Sequence, residues 1–379
     1  MRTNVTAVIV AAVITVAVTA QGRPRARDLG IAPGAGEQGT LNAITDVAGV
    51  RVGHVTLASG DSVRTGVTAI VPHGGNLFRE KVPGAVFVGN AFGKLAGSTQ
   101  VEELGTIETP IVLTNTLSVG AALDGLARWT VAQPGNDNVR SVNGLVGETN
   151  DGTLNDIRGF HVSAEHVSQA ITAAKGGAIA EGAVGAGTGT IAFGWKGGIG
   201  TSSRKSGDWM VGVLVQTNFG GRLTISGVPV WRELRPGAAS PVVTSRNESS
   251  PVVPESADGS CMIVVATDAP LDARDLKRLA ARAVFALART GSTYSNGSGD
   301  FAIAFSTNTA NRVSVTNGPQ PRTILPTDAV SGLFEAALDA TEEAVYNSLL
   351  QAVTTTGNGR TVRALPVDEL RALLKKYGR

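Results

Sequence analysis

Asp258-Gly259-Ser260-Cys261-Met262-Ile263-Val264-Val265-Ala266-Thr267-Asp268-Ala269-Pro270-Leu271 is the stretch around which the chain is organised. A turn-forming Asp-Gly pair leads into a serine, and six apolar residues follow it. A short apolar run rich in branched side chains, closed by Asp-Ala-Pro, reads as a buried strand rather than a helix. The serine therefore stands at the mouth of a core strand, after the irregular Pro/Ser-rich segment 238–257. Cleavage between Gly259 and Ser260 would turn Ser260 into an N-terminal nucleophile that carries its own base.

The physical case for that reading is the α-amine. Its unperturbed pKa of about 7.7–8.0 suits a general base near neutrality, and partial burial lowers it further. It is tethered to the residue that bears the hydroxyl, so base and nucleophile need no separate alignment. Taken from the residues alone, Gly-Ser before a strand is also a common hairpin feature, and both readings stay open.

Other routes to a serine nucleophile are weaker. No GxSxG elbow is present. Ser202-Ser203-Arg204-Lys205 matches SxxK, yet Ser141-Val142-Asn143 precedes it and Lys205-Ser206-Gly207 overlaps it, so the match reads as chance. Metal chemistry fails as well. Of His54, His73, His161 and His166, the last two are five residues apart. Five residues turn a helix by about 500°, which separates the rings, whereas metalloprotease patterns need them on one turn. No metal is expected.

The 379 residues suffice for one large or two ordinary domains. The 48 glycines follow no fixed period and imply many tight turns and close backbone approaches. With 33 basic and 31 acidic residues, nothing in the charge calls for nucleic acid or an anionic membrane as partner. The single cysteine, Cys261, excludes an intramolecular disulfide and a cysteine zinc cluster, and its place in the core strand makes it filler. Residues 1–20 read as an export signal: Arg2, an uncharged apolar stretch from Val5 to Ala20, and small side chains at Val18-Thr19-Ala20. The stretch is slightly short for a spanning helix of about 20 residues. The expectation is a periplasmic or secreted protein with no membrane attachment once the signal is removed, the alternative being that the segment is retained as an anchor.

Along the chain, strands are expected at 49–55, 67–71, 85–88, 111–114, 210–216, 261–267 and 301–306. Helices are expected at 95–104, 118–133, 163–175, 271–289, 327–352 and 367–377. The helix at 271–289 has Asp272 as cap, Asp275 in its first turn and Gly291 beyond its end. Segment 144–147 leads into a polar loop, 148–156. The ten glycines of 176–200 include neither GxGxxG nor GxxxxGK[ST], so nucleotide binding is not expected. Strands and helices mix without strict alternation, which points to α+β layers.

Several long motifs occur together and in order. They are Asn42 to His54, Gln100-Val101-Glu102-Glu103-Leu104-Gly105, Thr114-Asn115-Thr116-Leu117-Ser118-Val119-Gly120, Gly147 to Asp156, Gly259-Ser260 with Val264 to Leu271, and Gly297-Ser298-Gly299-Asp300-Phe301 with Ala304-Phe305-Ser306-Thr307. Over about residues 40–350 the chain resembles the self-processing L-aminopeptidase/D-esterase (DmpA) family, which includes the β-aminopeptidases. The resemblance implies a four-layer αββα sandwich, like the N-terminal-nucleophile hydrolases but with different strand connectivity. It implies a precursor cut into chains 21–259 and 260–379 that stay together, assembled as a homo-oligomer such as a tetramer, with no cofactor. Its substrates would be small peptides, amino-acid amides or esters, which lose their N-terminal residue through an acyl-enzyme on Ser260.

By the same resemblance, Asn218 is the oxyanion-side asparagine, and Ser298 and Asp300 orient Ser260 and its amine. Some members carry glutamate in place of Asp300, one methylene longer. Members also carry a tyrosine that assists the oxyanion where this chain has Thr153. Loss of one such donor can cost about 2.7–4 kcal/mol of transition-state stabilisation. Glu148, in the same loop, is a candidate for holding the substrate's amino group, against the alternative of a solvated loop acid. The rival to the enzyme is a catalytically weak exported binding or scaffold protein that keeps the fold.

Overall fold

The computed structural model describes residues 22–237, 240–241, 259–314, 316 and 318–379. The expected export signal and nearly all of the linker before Gly259 lie outside the described residues.

The chain begins with an antiparallel pair, β1 (Arg51–Ser59) and β2 (Val63–Val71), followed by the long β3 (Glu80–Ala91) and the short β4 (Leu95–Ala96). Next come α1 (Ser98–Leu104), β5 (Thr106–Ile107), β6 (Ile111–Asn115), α2 (Val119–Val131), β7 (Leu145–Thr149) and α3 (Ala164–Thr172). A small hairpin, β8 (Ile191–Ala192) and β9 (Trp195–Lys196), precedes β10 (Gly198–Ser206) and β11 (Trp209–Asn218). Then follow α4 (Val230–Glu233), β12 (Ser240–Pro241), β13 (Ser260–Thr267), α5 (Ala273–Thr290), β14 (Gly299–Ser306) and β15 (Val313–Ser314). The chain closes with α6 (Ser331–Leu350), β16 (Thr355–Gly357), β17 (Arg360–Val362) and α7 (Val367–Lys376).

Two sheets stack face to face. One has the order β1-β2-β6-β7-β4; the other runs β10-β11-β13-β14-β3-β15, with β5 attached to β3. Helices α2 and α3 cover the first sheet, and α5 and α6 cover the second. The result is the expected α+β, four-layer αββα sandwich.

β13 divides its side chains between two cores, as a period of two requires. Cys261, Ile263 and Val265 pack toward α5 and α6, while Met262, Val264 and Ala266 join the core between the sheets. All eight residues of β13 and of β14 are buried, which explains why both read as continuous apolar runs. They are parallel neighbours joined through α5. That helix starts where expected: Asp272 Oδ1 accepts from the Asp275 N–H at 2.9 Å, and Gly291 ends it at φ 97°.

Two expectations need correction, and one strand was missed. Segment 95–104 is helical only from Ser98, because Leu95 and Ala96 pair with β7. The expected loop at 148–156 begins two residues late, since Glu148 and Thr149 are the buried end of strand β7. Strand β10 was not expected at all: its glycines and hydroxyls hide a strand that packs on α6, where a Cβ on Gly200 would lie 1.9 Å from the Ala344 carbonyl oxygen.

Candidate active site

β13 begins at Ser260, where it pairs with Asn218 on antiparallel β11 and with Gly299 on parallel β14. Directly opposed residues share a face of the sheet. One step further in, Gln216 and Met262 are opposed, and the Gln216 Nε2 donates across to the Thr114 carbonyl at 3.2 Å and the Thr149 hydroxyl at 2.8 Å. Ser260 and Asn218 therefore look into the space between the sheets, at its end.

The Gly299 N–H donates to the Gly259 carbonyl oxygen at 3.1 Å and to Ser260 Oγ at 3.3 Å. One backbone donor thus holds both the hydroxyl and the carbonyl it would attack, and it polarises the latter. Gly259 sits at φ 156°, and a Cβ there would lie 2.1 Å from the Asn218 carbonyl oxygen. The residue before Ser260 is small because the neighbouring strand leaves no room for a side chain.

The Asn218 amide is oriented from behind. Its Oδ1 accepts from the Ile191 N–H at 3.0 Å, which assigns Nδ2 as the donor end, the role an oxyanion requires. Ile191 opens the β8–β9 hairpin, whose two-residue turn, Phe193-Gly194, has positive φ at both positions, 53° and 77°. The Phe193 ring packs edge-on against Phe219 at 4.9 Å, next to Asn218.

Asp300 is the register partner of Cys261, and so lies on the helix-facing side of the sheet, behind Ser260 rather than beside its hydroxyl. Its Oδ2 accepts from the Ser298 hydroxyl at 2.9 Å, while Oδ1 is buried without a partner. Burial pushes the Asp300 carboxyl up to about 6; the Ser298 hydroxyl and the Cys261 N–H pull the other way. A carboxyl with one oxygen unpartnered, beside the peptide that follows Ser260, is suited to an ammonium there. Cys261 is core filler, as expected: burial, reinforced by Asp300, pushes its thiol well above the ordinary range.

Glu148 is buried and belongs to the site's wall. Its Oε1 accepts from the Lys94 N–H at 2.9 Å and pairs with Lys94 Nζ at 3.3 Å. A Cβ on Gly93 would lie 3.2 Å from that oxygen and 3.7 Å from Gly299 Cα, so the carboxylate and the backbone that holds Ser260 flank the same glycine. Thr153 stands apart, half-buried on a turn, and its hydroxyl makes no hydrogen bond among the described residues. The structure thus gathers Ser260, Gly259, Asn218, Ser298, Asp300 and Glu148, but attaches Thr153 to none of them.

The structure removes the SxxK reading. Ser202 is buried and donates to Asn42 Oδ1 at 2.9 Å, whereas Lys205 is paired outside with Glu37 at 2.8 Å. Among the described residues no group of His, Cys, Asp and Glu could hold a metal ion. Two participants escaped sequence reading: the Gly299 N–H, which leaves no side-chain signature, and Ile191, which acts through its backbone.

A serine at the head of a central strand, opening between two stacked sheets, is the arrangement of the N-terminal-nucleophile hydrolase fold. Within that class the chain belongs to peptidase family S58, whose profile matches residues 42–362. It is 46% identical to the beta-peptidyl aminopeptidase BapA of Sphingosinicella microcystinivorans, over 98% of this chain and 97% of that one. Among solved structures, a Burkholderia sp. beta-aminopeptidase superposes with a TM-score of 0.84 at 40% identity, covering 94% of this chain and 99% of the other. The L-aminopeptidase D-Ala-esterase/amidase of Ochrobactrum anthropi, described as a prototype of the serine aminopeptidases and a variant of the Ntn-hydrolase fold, gives 0.84 at 36% identity, with the same coverage. The recognition made from the motifs is borne out, and the chain is a hydrolase of the serine-aminopeptidase kind.

Proposed function

We propose that this chain matures by cutting itself between Gly259 and Ser260, and then releases the N-terminal residue of small peptides, amides or esters. In maturation Ser260 Oγ attacks the Gly259 carbonyl carbon, the bond to the Ser260 nitrogen breaks, and water hydrolyses the resulting ester. The products are a carboxylate on Gly259 and a free amine on Ser260. In turnover the amine takes the hydroxyl proton as Oγ attacks the substrate carbonyl, then returns it to the leaving group. Asn218 Nδ2 and the Gly299 N–H supply the oxyanion donors, and Asp300 with Ser298 holds the amine from behind. Water then hydrolyses the acyl-enzyme ester, releasing the amino acid and restoring the Ser260 hydroxyl.

The observation that carries this reading is the Gly299 N–H shared between Ser260 Oγ and the Gly259 carbonyl oxygen. The sheet order supports a lasting association of the two chains: β13 and β14 of segment 260–379 lie between β11 and β3 of segment 21–259. The relatives' names extend the substrate class to N-terminal β-amino acids. Residues 1–20 are read as an export signal, giving a periplasmic or secreted enzyme, assembled as a homo-oligomer.

Gel electrophoresis with N-terminal sequencing tests the proposal. Two bands are expected, one of them starting Ser-Cys-Met-Ile, together with hydrolysis of aminoacyl anilides. Ser260→Ala is expected to give one undivided, inactive chain. A single band in the active wild-type protein would end it.

A further inference from the structure

Lys196, at the end of β9, is fully buried, and its ammonium forms no salt bridge among the described residues. Its three N–H groups instead go to the carbonyls of Gly187, Thr190 and Gly197, each at 2.9 Å. Burying an ammonium is costly, and an apolar side chain of similar size is often as stable or more so in such a place. A charge kept here calls for a function. The peptide unit whose oxygen Lys196 grips at Thr190 carries, on its other side, the Ile191 N–H that holds Asn218 Oδ1.

We propose that Lys196 is the positioning residue of the oxyanion donor: by tying three carbonyls of the 187–197 loop to one ammonium, it fixes the N–H from which the Asn218 amide hangs. The inference rests on the acyl-enzyme reading above. The loop is otherwise ill suited to hold still, since it is glycine-rich and the turn of its hairpin needs two residues at positive φ. Lys196 gives it a rigid centre, and places a positive charge behind the amide at which negative charge develops. The one charged group acting on Lys196 among the described residues is Asp151, on the loop that follows β7. Asp151 is itself buried, with Oδ1 taken by Asn155 at 3.0 Å and Oδ2 without a partner. The Arg363 carbonyl accepts the Lys196 backbone N–H at 2.8 Å.

A double-mutant cycle on the mature enzyme tests this. Lys196→Met is expected to lower kcat by about 10–100-fold, as a misplacement of the order of 1 Å can, with KM changed less than about twofold. Asn218→Ala is expected to cost about 100–1,000-fold, and adding Lys196→Met to it almost nothing more. Losses that simply multiply would overturn the inference. Should Lys196→Met not fold, the pH profile decides. Burial lowers the Lys196 ammonium to about 7 against the opposing pull of Asp151, so kcat/KM should fall on the alkaline side as the third N–H is lost. Asp151→Asn, which keeps the lysine, should move that limb to lower pH; an unmoved limb refutes the role. Failure of the acyl-enzyme reading is separate, and would show in the wild-type protein as the absence of any chain beginning at Ser260.

Discussion

At the scale of single residues, the site is decided by where backbone and side chain are allowed to be. Gly259 tolerates no Cβ, because one would lie 2.1 Å from the Asn218 carbonyl oxygen at a φ of 156°. Gly259→Ala should push the scissile carbonyl off the Gly299 N–H and slow maturation at least about tenfold, or about 1.4 kcal/mol in barrier. The fraction of undivided precursor against time on a gel measures it, and a wild-type rate would contradict the account. Ser260 was legible because its whole argument is local: a small residue, a hydroxyl and a strand in succession. Asn218, Ser298 and Asp300 were legible only through the family resemblance, since nothing in their spacing says they meet. Asp300 lies behind the sheet, opposite Cys261, which its sequence neighbours could not show.

At the scale of elements, the informative failure is β10. The sequence Gly198-Ile199-Gly200-Thr201-Ser202-Ser203-Arg204 shows no apolar alternation, because its partner is the polar face of α6. Arg204 is buried and pairs with Glu343 of α6 at 2.5 Å, while Asn347 of α6 donates to the Thr201 carbonyl at 2.9 Å. Helix and strand approach so closely that Gly200 cannot bear a methyl group: it would meet the Ala344 oxygen at 1.9 Å and the Ser348 nitrogen at 2.7 Å, both backbone atoms. Gly200→Ala should therefore destabilise the fold by about 1–3 kcal/mol or more. A melting temperature within about a degree of wild type would show that the contact is not as tight as described. Strands such as β13 and β14, apolar on both faces, had no such disguise.

At the scale of the whole molecule, buried titratable groups set opposing dependences on pH. Burial lowers His54 to about 4, where its Nδ1 lies 2.9 Å from Thr68 Oγ1 between the strands of the first sheet. Its folded value is below the unfolded value of 6.5, so its contribution is fully present above pH 6.5 and is lost as the pH falls toward 4. Glu181 behaves oppositely: burial raises it to about 7 against the pull of Arg25, so its penalty grows as the pH rises from 4.5 toward 7 and is relieved by acid. Comparing wild type with His54→Gln isolates the histidine. The difference in melting temperature should be constant above pH 6.5 and shift in favour of the variant between 6.5 and 4; a constant difference throughout would remove His54 from the account. The same scale explains why scission would not part the chains, since strands of both segments alternate in one sheet.

The amino-acid sequence by itself determined most of the elements, the layered class and the serine proposed as nucleophile, because apolar periodicity, caps and a strand-initial serine are properties of neighbours along the chain. Only the tertiary structure decided which groups serve that serine. The Gly299 N–H, the Ile191 clamp on Asn218 and the Lys196 ammonium behind it act through backbone atoms or a buried charge. Such groups acquire a role only when strands distant in sequence are brought into register, and no local pattern of residues records that registration.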